Sequence, residues 1–370
     1  MDLLRVGITH GDFNGIGYEV ILKAIADPMI TELLTPVIFG IPSVAEKCRM
    51  MLGLTDMKLN IINDPADIED GKINLISITQ EEIIPTPGIV SKEAGEFSVE
   101  ALEQAAKALQ NGDIDVLVTA PISKEATQSD RFPFPGHTEF LESRLGTDEK
   151  ALMVLCNNDL RVALLTIHIP IAKVAESVTA EKISASLDAF SHTLKQDFGC
   201  ERPSIAVLAL NPHSGDGGVI GDEEENIIKP ILEEKRREGI LAFGPYAADG
   251  FFGHGSYKNF DGVLAMYHDQ GLAPFKTIAT SGGVNFTAGI PYVRTSPDHG
   301  TAFDIAWQNL ADEQSMRDAI YMAIDIYRNR SSFEESSANP LKKHVADKPD
   351  RGERQERPLK FNSSNNDTHD

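Results

Sequence analysis

Three histidines follow short apolar segments and could together bind a metal ion. His268 comes directly after GVLAMY, His168 follows VALLTI, and His213 follows AVLALNP. Apolar runs of this length are typical of strands buried on both faces, and open α/β sheets bind ligands at the carboxyl ends of such strands. A single histidine at such a position more often bonds a loop, but three of them predict one shared metal site. Three imidazoles leave coordination positions open, as in catalytic metal centres.

Cations and further polar residues lie close to these histidines in the sequence. Lys276, Asn285 and Arg294 follow His268 within one stretch that contains glycine turns. In a chain with a net charge of -22, such a lysine and arginine could hold a phosphate or carboxylate group. Ordinary surface cations are an equally good interpretation of this pattern. His137, in the segment PGHTE, is from its position alone more typical of a loop histidine than of a ligand.

Alternating strands and helices are predicted to position these side chains. The chain opens with the strand LLRVGIT, the turn HGDFNGIG and the helix YEVILKAIAD, and this order recurs along the sequence. Such alternation indicates an α/β fold with a mostly parallel sheet and helices on both faces. Gly11, Gly15 and Gly17 match neither the GxGxxG dinucleotide fingerprint nor a P-loop. The opening turn is therefore either a tight structural turn or a helix start that faces a ligand cleft.

Composition excludes several classes of partner. The 370 residues include 56 acidic and 34 basic side chains, so nucleic acid and anionic membrane surfaces would be repelled. Cys48, Cys156 and Cys200 show no CxxC spacing, which predicts a reducing, cytoplasmic environment. No segment is typical of a signal peptide or reaches membrane-spanning length, so we expect a soluble protein. From Ser331 to Asp370 the sequence is polar and lacks apolar periodicity, which predicts a disordered or loosely attached tail.

Seven motifs occur in the order and at roughly the spacing of one known family: HGDFNGIGYE, TAPISKEA, PGHTEFL, LLTIHIPI, LNPHSGDGG, AMYHDQGLAPFK and VNFTAGIPYVRTSPDHGTAFDIA. From residue 3 to about residue 328, the sequence resembles the 4-hydroxythreonine-4-phosphate dehydrogenase family of vitamin B6 biosynthesis. That family is similar in fold to isocitrate and isopropylmalate dehydrogenases, which implies two α/β/α subdomains with the active site in the cleft between them. We expect the first subdomain at residues 1–130 and 300–330, the second, with the metal and substrate site, at residues 131–299, and the tail at residues 331–370.

The resemblance implies a role for each candidate residue. One divalent cation (zinc, cobalt, magnesium or manganese) is bound by His168, His213 and His268. A phosphorylated substrate is held by His137, Thr138, Lys276, Asn285 and Arg294. The segment HGTAFDIA is similar to the adenosine-binding loop of the wider group, which implies that NAD or NADP contacts His299, Gly300, Thr301 and Asp304. Asp249 matches an acidic position of the family motif and is a candidate general base, with a turn aspartate as the alternative.

The resemblance also implies an assembly and a reaction. The family forms homodimers in which both subunits build each cleft, with His137 and Thr138 reaching the neighbouring subunit. The expected reaction oxidises 4-phosphooxy-L-threonine at C3 with NAD and then decarboxylates it to 3-amino-2-oxopropyl phosphate. The nearest alternative substrates are 4-phospho-D-threonate and 4-phospho-D-erythronate, on which the motifs are silent. A metal-dependent phosphatase or sensor is a more distant alternative, and the adenosine-loop segment argues against it.

Overall fold

The computed structural model describes residues 3–145, 151–280 and 282–339. The strands within these ranges are β1 (Leu4–Thr9), β2 (Leu34–Gly40), β3 (Leu59–Ile62), β4 (Ile73–Ser77), β5 (Val116–Thr119), β6 (Leu152–Cys156), β7 (Arg161–Leu164), β8 (Ser204–Leu208), β9 (Leu241–Tyr246), β10 (Gly262–Ala265), β11 (Val284–Ala288) and β12 (Arg294–Pro297). They form one sheet in the spatial order β3-β4-β2-β1-β5-β12-β11-β6-β7-β10-β8-β9.

Helices lie between most successive strands. In the described part of the chain, the α-helices are α1 (Gly17–Ala24), α2 (Ile30–Leu33), α3 (Pro42–Met51), α4 (Lys92–Asn111), α5 (Lys124–Thr127), α6 (His137–Leu145), α7 (Val174–Ser177), α8 (Ala180–Gln196), α9 (Lys229–Glu238), α10 (Ala248–Gly253), α11 (His268–Ile278) and α12 (Gln314–Ser337). A π-helical segment, Glu224–Ile228, leads directly into α9. The α/β class predicted from the sequence is confirmed.

The middle of the sheet departs from parallel pairing. β11 pairs antiparallel with both β12 and β6, and β6 pairs antiparallel with β7. β12 then pairs parallel with β5, which joins the strands of the first half to those of the second. The remaining pairs are parallel, as the alternation of strands and helices predicted. Because one sheet runs through both halves, the predicted division into two subdomains stays a prediction.

Close backbone packing shapes the opening turn. Gly11 has a φ of +67°, and a Cβ atom there would lie 2.3 Å from the carbonyl oxygen of Pro121. A Cβ atom at Gly17 would lie 2.2 Å from the carbonyl oxygen of His10. Only glycine tolerates both the left-handed conformation and these approaches. The opening turn is therefore tightly packed, and it holds the segment after β5 against the end of β1; whether it also faces a ligand stays open.

The last helix extends further than the sequence predicted. α12 continues through Ser337, whereas composition placed the start of a disordered tail at Ser331. The ring of Phe333 packs edge-on against His192 of α8, with ring centroids 5.9 Å apart, and this contact anchors the additional turns. Residues 340–370 lie outside the described residues, so the prediction for them stays a prediction. None of the described helices combines the length and apolar character needed to cross a bilayer.

Candidate active site

A cavity of about 230 Å³ lies beside the antiparallel strands in the middle of the sheet. Its walls come from the segment after β5, the start of α6, and the strands β6, β11 and β12. Many residues predicted from the sequence line it: His137, Thr138, His168, Lys276, Asn285, Arg294, His299 and Gly300. Thr119, Lys124 and Glu139 line the same cavity. The fold thus gathers every predicted substrate-binding residue within one chain.

Arg294 is the buried cation of this cavity. It is 1% exposed, and its guanidinium donates hydrogen bonds to two hydroxyl groups, Oγ1 of Thr119 and Oγ1 of Thr287. Across the described residues, no carboxylate lies within ion-pair distance of it. Burial lowers the pKa of Arg294 to about 9, and the nearby Glu139 carboxylate opposes that shift. A guanidinium that stays charged at neutral pH without a carboxylate partner is arranged to receive an anion.

Four buried polar atoms in the cavity wall also lack a partner among the described residues. They are Nε2 of His137, Oε2 of Glu139, Oδ1 of Asn285 and Nε2 of His299. Buried polar groups in folded proteins are nearly always hydrogen-bonded, so a cluster of exceptions needs an explanation. Two of the four are histidine nitrogens, one is a carboxylate oxygen and one is an amide oxygen. This set can donate to and accept from a polar ligand that carries several functional groups.

Charges within the cavity set the protonation of its side chains. Burial, together with the positive charges of Arg294 and Lys124, holds the pKa of His137 well below its usual range. Its imidazole is therefore neutral at physiological pH. The hydrogen bond with His168 lowers the pKa of Glu139, which keeps that carboxyl group ionised. Nζ of Lys276 donates to the carbonyl oxygen of Asp298 at 2.9 Å while its side chain remains exposed.

The structure brings together two of the three histidines predicted to bind a metal. The ring centroids of His168 and His268 lie 5.9 Å apart, and Nδ1 of His168 lies 3.5 Å from Oε1 of Glu139. His213 follows β8, which pairs parallel with β10, so it leaves the sheet at the same edge as the other two. Within residues 3–145, 151–280 and 282–339, no three His, Cys, Asp or Glu side chains converge as metal ligands do. Imidazole nitrogens suit a divalent cation such as zinc or cobalt, and the full ligand set stays a prediction.

The predicted cofactor loop packs against the opening turn. The backbone N–H of Ile16 donates to the carbonyl oxygen of Thr301 at 3.0 Å, and a Cβ atom at Gly15 would lie 2.7 Å from that oxygen. Farther along the loop, Nε1 of Trp307 donates to the carbonyl oxygen of Phe13 at 3.0 Å. These contacts place His299 and Gly300 at the cavity rim, with the unpartnered Nε2 of His299 available to a ligand. The contact between this loop and a nucleotide stays a prediction.

Comparison with known sequences identifies the family. Residues 32–323 match the family described as "Pyridoxal phosphate biosynthetic protein PdxA". That match covers well over half of the 370 residues. The chain belongs to the PdxA family.

Individual relatives agree with this membership. A 4-hydroxythreonine-4-phosphate dehydrogenase from Bacteroides thetaiotaomicron is 51% identical over 347 residues, which are 94% of this chain and 95% of the relative. The crystal structure of the enzyme of that name from Klebsiella pneumoniae has a TM-score of 0.76 and 33% identity, covering 88% of this chain and 98% of its own. A relative from Oceanobacillus iheyensis, provisionally named D-threonate 4-phosphate dehydrogenase, is 35% identical over 87% of this chain and 97% of its own length. The predicted resemblance is confirmed.

Within one chain of this PdxA-family protein, three predicted residues do not lie where the prediction placed them relative to the cavity. Asp249, the candidate general base, is exposed in the first turn of α10 and does not line the cavity. His137 and Thr138 were expected to reach a neighbouring subunit, yet they line the cavity of their own chain. The catalytic role of Asp249 and the sharing of the site between subunits both stay predictions.

Sequence reasoning missed three residues that line the cavity, Thr119, Lys124 and Glu139, and it also missed Thr287, which accepts a hydrogen bond from Arg294. Thr119 and Thr287 end or interrupt the apolar strands VLVT and VNFTA, and a hydroxyl inside such a strand is the signal that could have found them. Lys124 and Glu139 lie within the motifs TAPISKEA and PGHTE but carried no individual prediction.

Proposed function

We propose that this chain oxidises 4-phosphooxy-L-threonine at C3 and decarboxylates the product to 3-amino-2-oxopropyl phosphate, a step in pyridoxal 5'-phosphate biosynthesis. The buried guanidinium of Arg294, which only hydroxyl groups contact among the described residues, is the observation that carries the proposal. Relatives named for this activity, at up to 51% identity, support it. A guanidinium suits phosphate because its N–H groups can donate two parallel hydrogen bonds to phosphate oxygens.

Each cavity residue has a part in holding the substrate. Arg294 binds the phosphate group, with Lys124 and Lys276 adding positive charge at the same wall. Neutral His137 can donate one hydrogen bond and accept another, so it orients a phosphate or hydroxyl oxygen without adding charge. The unpartnered oxygen of Asn285 accepts a hydrogen bond from the substrate. These contacts fix C3 and the carboxylate relative to the cavity wall.

The chemistry balances as two steps. The hydroxyl at C3 loses its proton, and the C3 hydrogen leaves with its electron pair as hydride, which gives a β-keto acid. The C1–C2 bond then breaks, carbon dioxide leaves, and C2 takes up a proton. When bound, NAD or NADP supplies the hydride acceptor, and a divalent cation held by His168, His213 and His268 supplies a Lewis acid that stabilises negative oxygen. The loop with His299, Gly300, Thr301 and Asp304 holds the nucleotide.

A homodimer with a shared site is part of the proposal. Four apolar side chains are exposed on the loops that carry two of the histidines: Ile169 and Ile171 after His168, and Val219 and Ile220 after His213. Exposed apolar groups clustered beside a site are typical of a protein interface.

Two of the three cysteines, Cys48 and Cys156, are buried, and all three are free, which accords with a cytoplasmic location.

Reduced-nucleotide formation with three substrates in parallel tests the activity. Purified protein with Zn²⁺, Co²⁺ or Mg²⁺ should reduce NAD or NADP fastest with 4-phosphooxy-L-threonine. Preference for 4-phospho-D-threonate or 4-phospho-D-erythronate would instead assign the function of the Oceanobacillus relative's name. No reduction with any of the three would sink the dehydrogenase proposal.

Subunit mixing tests the shared site. The resemblance implies that His137 and Thr138 reach the cleft of the neighbouring subunit, so a shared site would combine His137 of one subunit with His268 of the other. Exchange between inactive His137→Ala and His268→Ala homodimers should then restore activity, because one of the two clefts in a heterodimer carries neither change. Confirmed exchange without activity would show that each subunit holds a complete site. Sedimentation velocity establishes the dimer independently.

A further inference from the structure

The loop that carries His213 has an unusual backbone. Six consecutive residues have positive φ: His213 (51°), Ser214 (55°), Gly215 (77°), Asp216 (46°), Gly217 (63°) and Gly218 (95°). Left-handed conformations are unfavourable for residues with a Cβ atom, and they normally occur singly. A run of six that includes three such residues persists only where the surrounding structure holds it.

Glu224 is the main anchor of this loop. It is 0% exposed and lies at the start of the π-helical segment that precedes α9. Its Oε1 accepts hydrogen bonds from the backbone N–H groups of Leu210 and Asn211, both at 2.8 Å. Its Oε2 accepts a further hydrogen bond from Nδ2 of Asn211 at 3.0 Å. A buried carboxylate thus fixes the two residues immediately before Pro212 and His213.

The far side of the loop is also held. A Cβ atom at Gly215 would lie 2.7 Å from Oε2 of Glu224, so the loop folds back over the same carboxylate. Oγ of Ser214 donates to the carbonyl oxygen of Pro245 at 3.0 Å. By contrast, Gly217 has open space where a Cβ atom would be. The loop is therefore tightly fixed up to Gly215 and loosely packed beyond it.

We propose that Glu224 is a positioning residue that sets the direction in which His213 leaves the sheet. It touches neither substrate nor cofactor, and acts by holding Leu210, Asn211 and Gly215 so that the left-handed run can form. The proposal rests on the proposed function in one respect, the assignment of His213 as a metal ligand. π-Helical turns recur at functional sites, and here one presents the carboxylate to the loop.

Cobalt binding to the full-length chain tests this role without an activity assay. Co²⁺ titrations by calorimetry and by visible absorption should be made on wild type, Glu224→Ala, Glu224→Gln and Glu225→Gln. Glu224→Ala removes all three acceptor contacts and should weaken Co²⁺ binding about 10- to 100-fold, the range seen when groups that orient a ligand are lost. Its Co²⁺ absorption spectrum should change, because a displaced imidazole alters the coordination. Glu224→Gln keeps one oxygen for the two N–H groups and should restore most of the affinity.

Glu225→Gln is the matched control, because this neighbouring carboxylate is exposed and pairs with Lys229. It should leave both the affinity and the spectrum unchanged. Unaltered Co²⁺ binding in Glu224→Ala would overturn the positioning role, as would equal losses in Glu225→Gln and Glu224→Ala.

Two further variants keep the result decisive. If Glu224→Ala fails to fold, Gly217→Ala tests the loop without touching the buried carboxylate. An alanine there disfavours the left-handed run and should weaken Co²⁺ binding about tenfold; wild-type affinity in Gly217→Ala would count against the proposal. His213→Ala separates the two levels of inference. If it binds Co²⁺ as tightly as wild type, the metal assignment of His213 fails and the positioning role falls with it. If it weakens binding while Glu224→Ala does not, only the positioning role is wrong.

Discussion

Two arginines that are largely shielded from solvent have opposite kinds of partner. Arg330 in α12 donates from Nε to Oδ1 of Asp197 at 2.6 Å and from its terminal nitrogen to the carbonyl oxygens of Ile290 and Pro291. Arg294 lies deeper, yet its only side-chain partners in the described structure are the hydroxyls of Thr119 and Thr287. The first guanidinium is neutralised by the protein itself. The second is neutralised only when an anion enters, and that difference separates a structural cation from a binding cation.

The largest effect is expected from removing the binding cation. Arg294→Met should lower kcat/KM for the phosphorylated substrate about 100- to 1000-fold, since two charge-assisted hydrogen bonds are lost. The free energy of unfolding should change by less than about 1 kcal/mol, because an unpaired buried charge is removed along with its contacts. Steady-state kinetics and urea unfolding measure the two quantities. If Arg294→Met kept wild-type kinetics but had a lower free energy of unfolding, Arg294 would be a structural cation and not a binding cation.

The structural cation should show the opposite pattern. Arg330→Met leaves the carboxylate of Asp197, 2% exposed, without its charge partner and should lower the free energy of unfolding by about 3 kcal/mol. The substrate KM should remain close to wild type. Burial raises the pKa of Asp197 and Arg330 opposes that shift, so proton uptake should offset part of the loss at acidic pH and the loss should be smaller at pH 5 than at pH 8. The double variant Asp197→Asn with Arg330→Met should be more stable than Arg330→Met alone, because no unpaired carboxylate remains. Urea unfolding at pH 5 and pH 8 measures these differences.

A carboxylate at the opening turn is also buried without a partner of opposite charge, like the guanidinium of Arg294. Asp12 is 0% exposed, its Oδ1 accepts from the N–H of Asn14, and its Oδ2 has no partner among the described residues. Burial raises the pKa of Asp12 to about 6. The folded chain thus binds this proton more tightly than the unfolded chain, so the contribution of Asp12 to stability falls as pH rises from about 4 to about 6.

Asp12→Asn tests this sign directly. The variant should match wild type near pH 4 and be more stable by about 1–2 kcal/mol above pH 7. Thermal unfolding across this pH range measures the difference. A variant that loses stability equally at all pH values would show that Oδ2 has a partner. His10, whose pKa burial lowers to about 4, titrates in the same range but is common to both proteins, so the difference isolates Asp12.

The smallest effect is expected from shortening the chain. A protein ending at Asn339 keeps Arg330 and α12 and should match wild type in Tm and kcat/KM. A protein ending at Asn329 loses the Arg330–Asp197 pair and should resemble Arg330→Met in stability. A drop in activity of the protein that ends at Asn339 would show that residues 340–370 contribute to the catalytic body.

The sequence identified most of the cavity, but through motif matches rather than spacing alone. From residue type, Lys276 and Arg294 were equally compatible with surface cations, and His137 favoured a loop histidine. What decides their role is depth, since Arg294 is 1% exposed, and depth depends on contacts between distant segments. Thr119 could not be paired with Arg294 beforehand because 175 positions separate them.

Local signals also failed where tertiary packing prevailed. The antiparallel insertion of β11 and β12 breaks the parallel pattern, and nothing in VNFTAGIPYVRTS specified which strands would be its neighbours. The left-handed run that begins at His213 could not be predicted from a sequence in which only three of the six residues are glycine. α12 extends beyond its predicted end because Phe333 packs against the ring of His192 on α8.

The pairing of β12 with β5 has a consequence for how this enzyme is made. Thr119 leaves the ribosome long before Arg294, so the nascent chain contains the hydroxyl of the anion site but not its guanidinium until β12 has been synthesised. Contacts of such long sequence separation form slowly, and a ligand of the finished pocket stabilises only the native state. Inorganic phosphate should therefore slow unfolding more than it hastens refolding. Chains truncated before β12 would have neither the guanidinium nor the strand that holds it against β5.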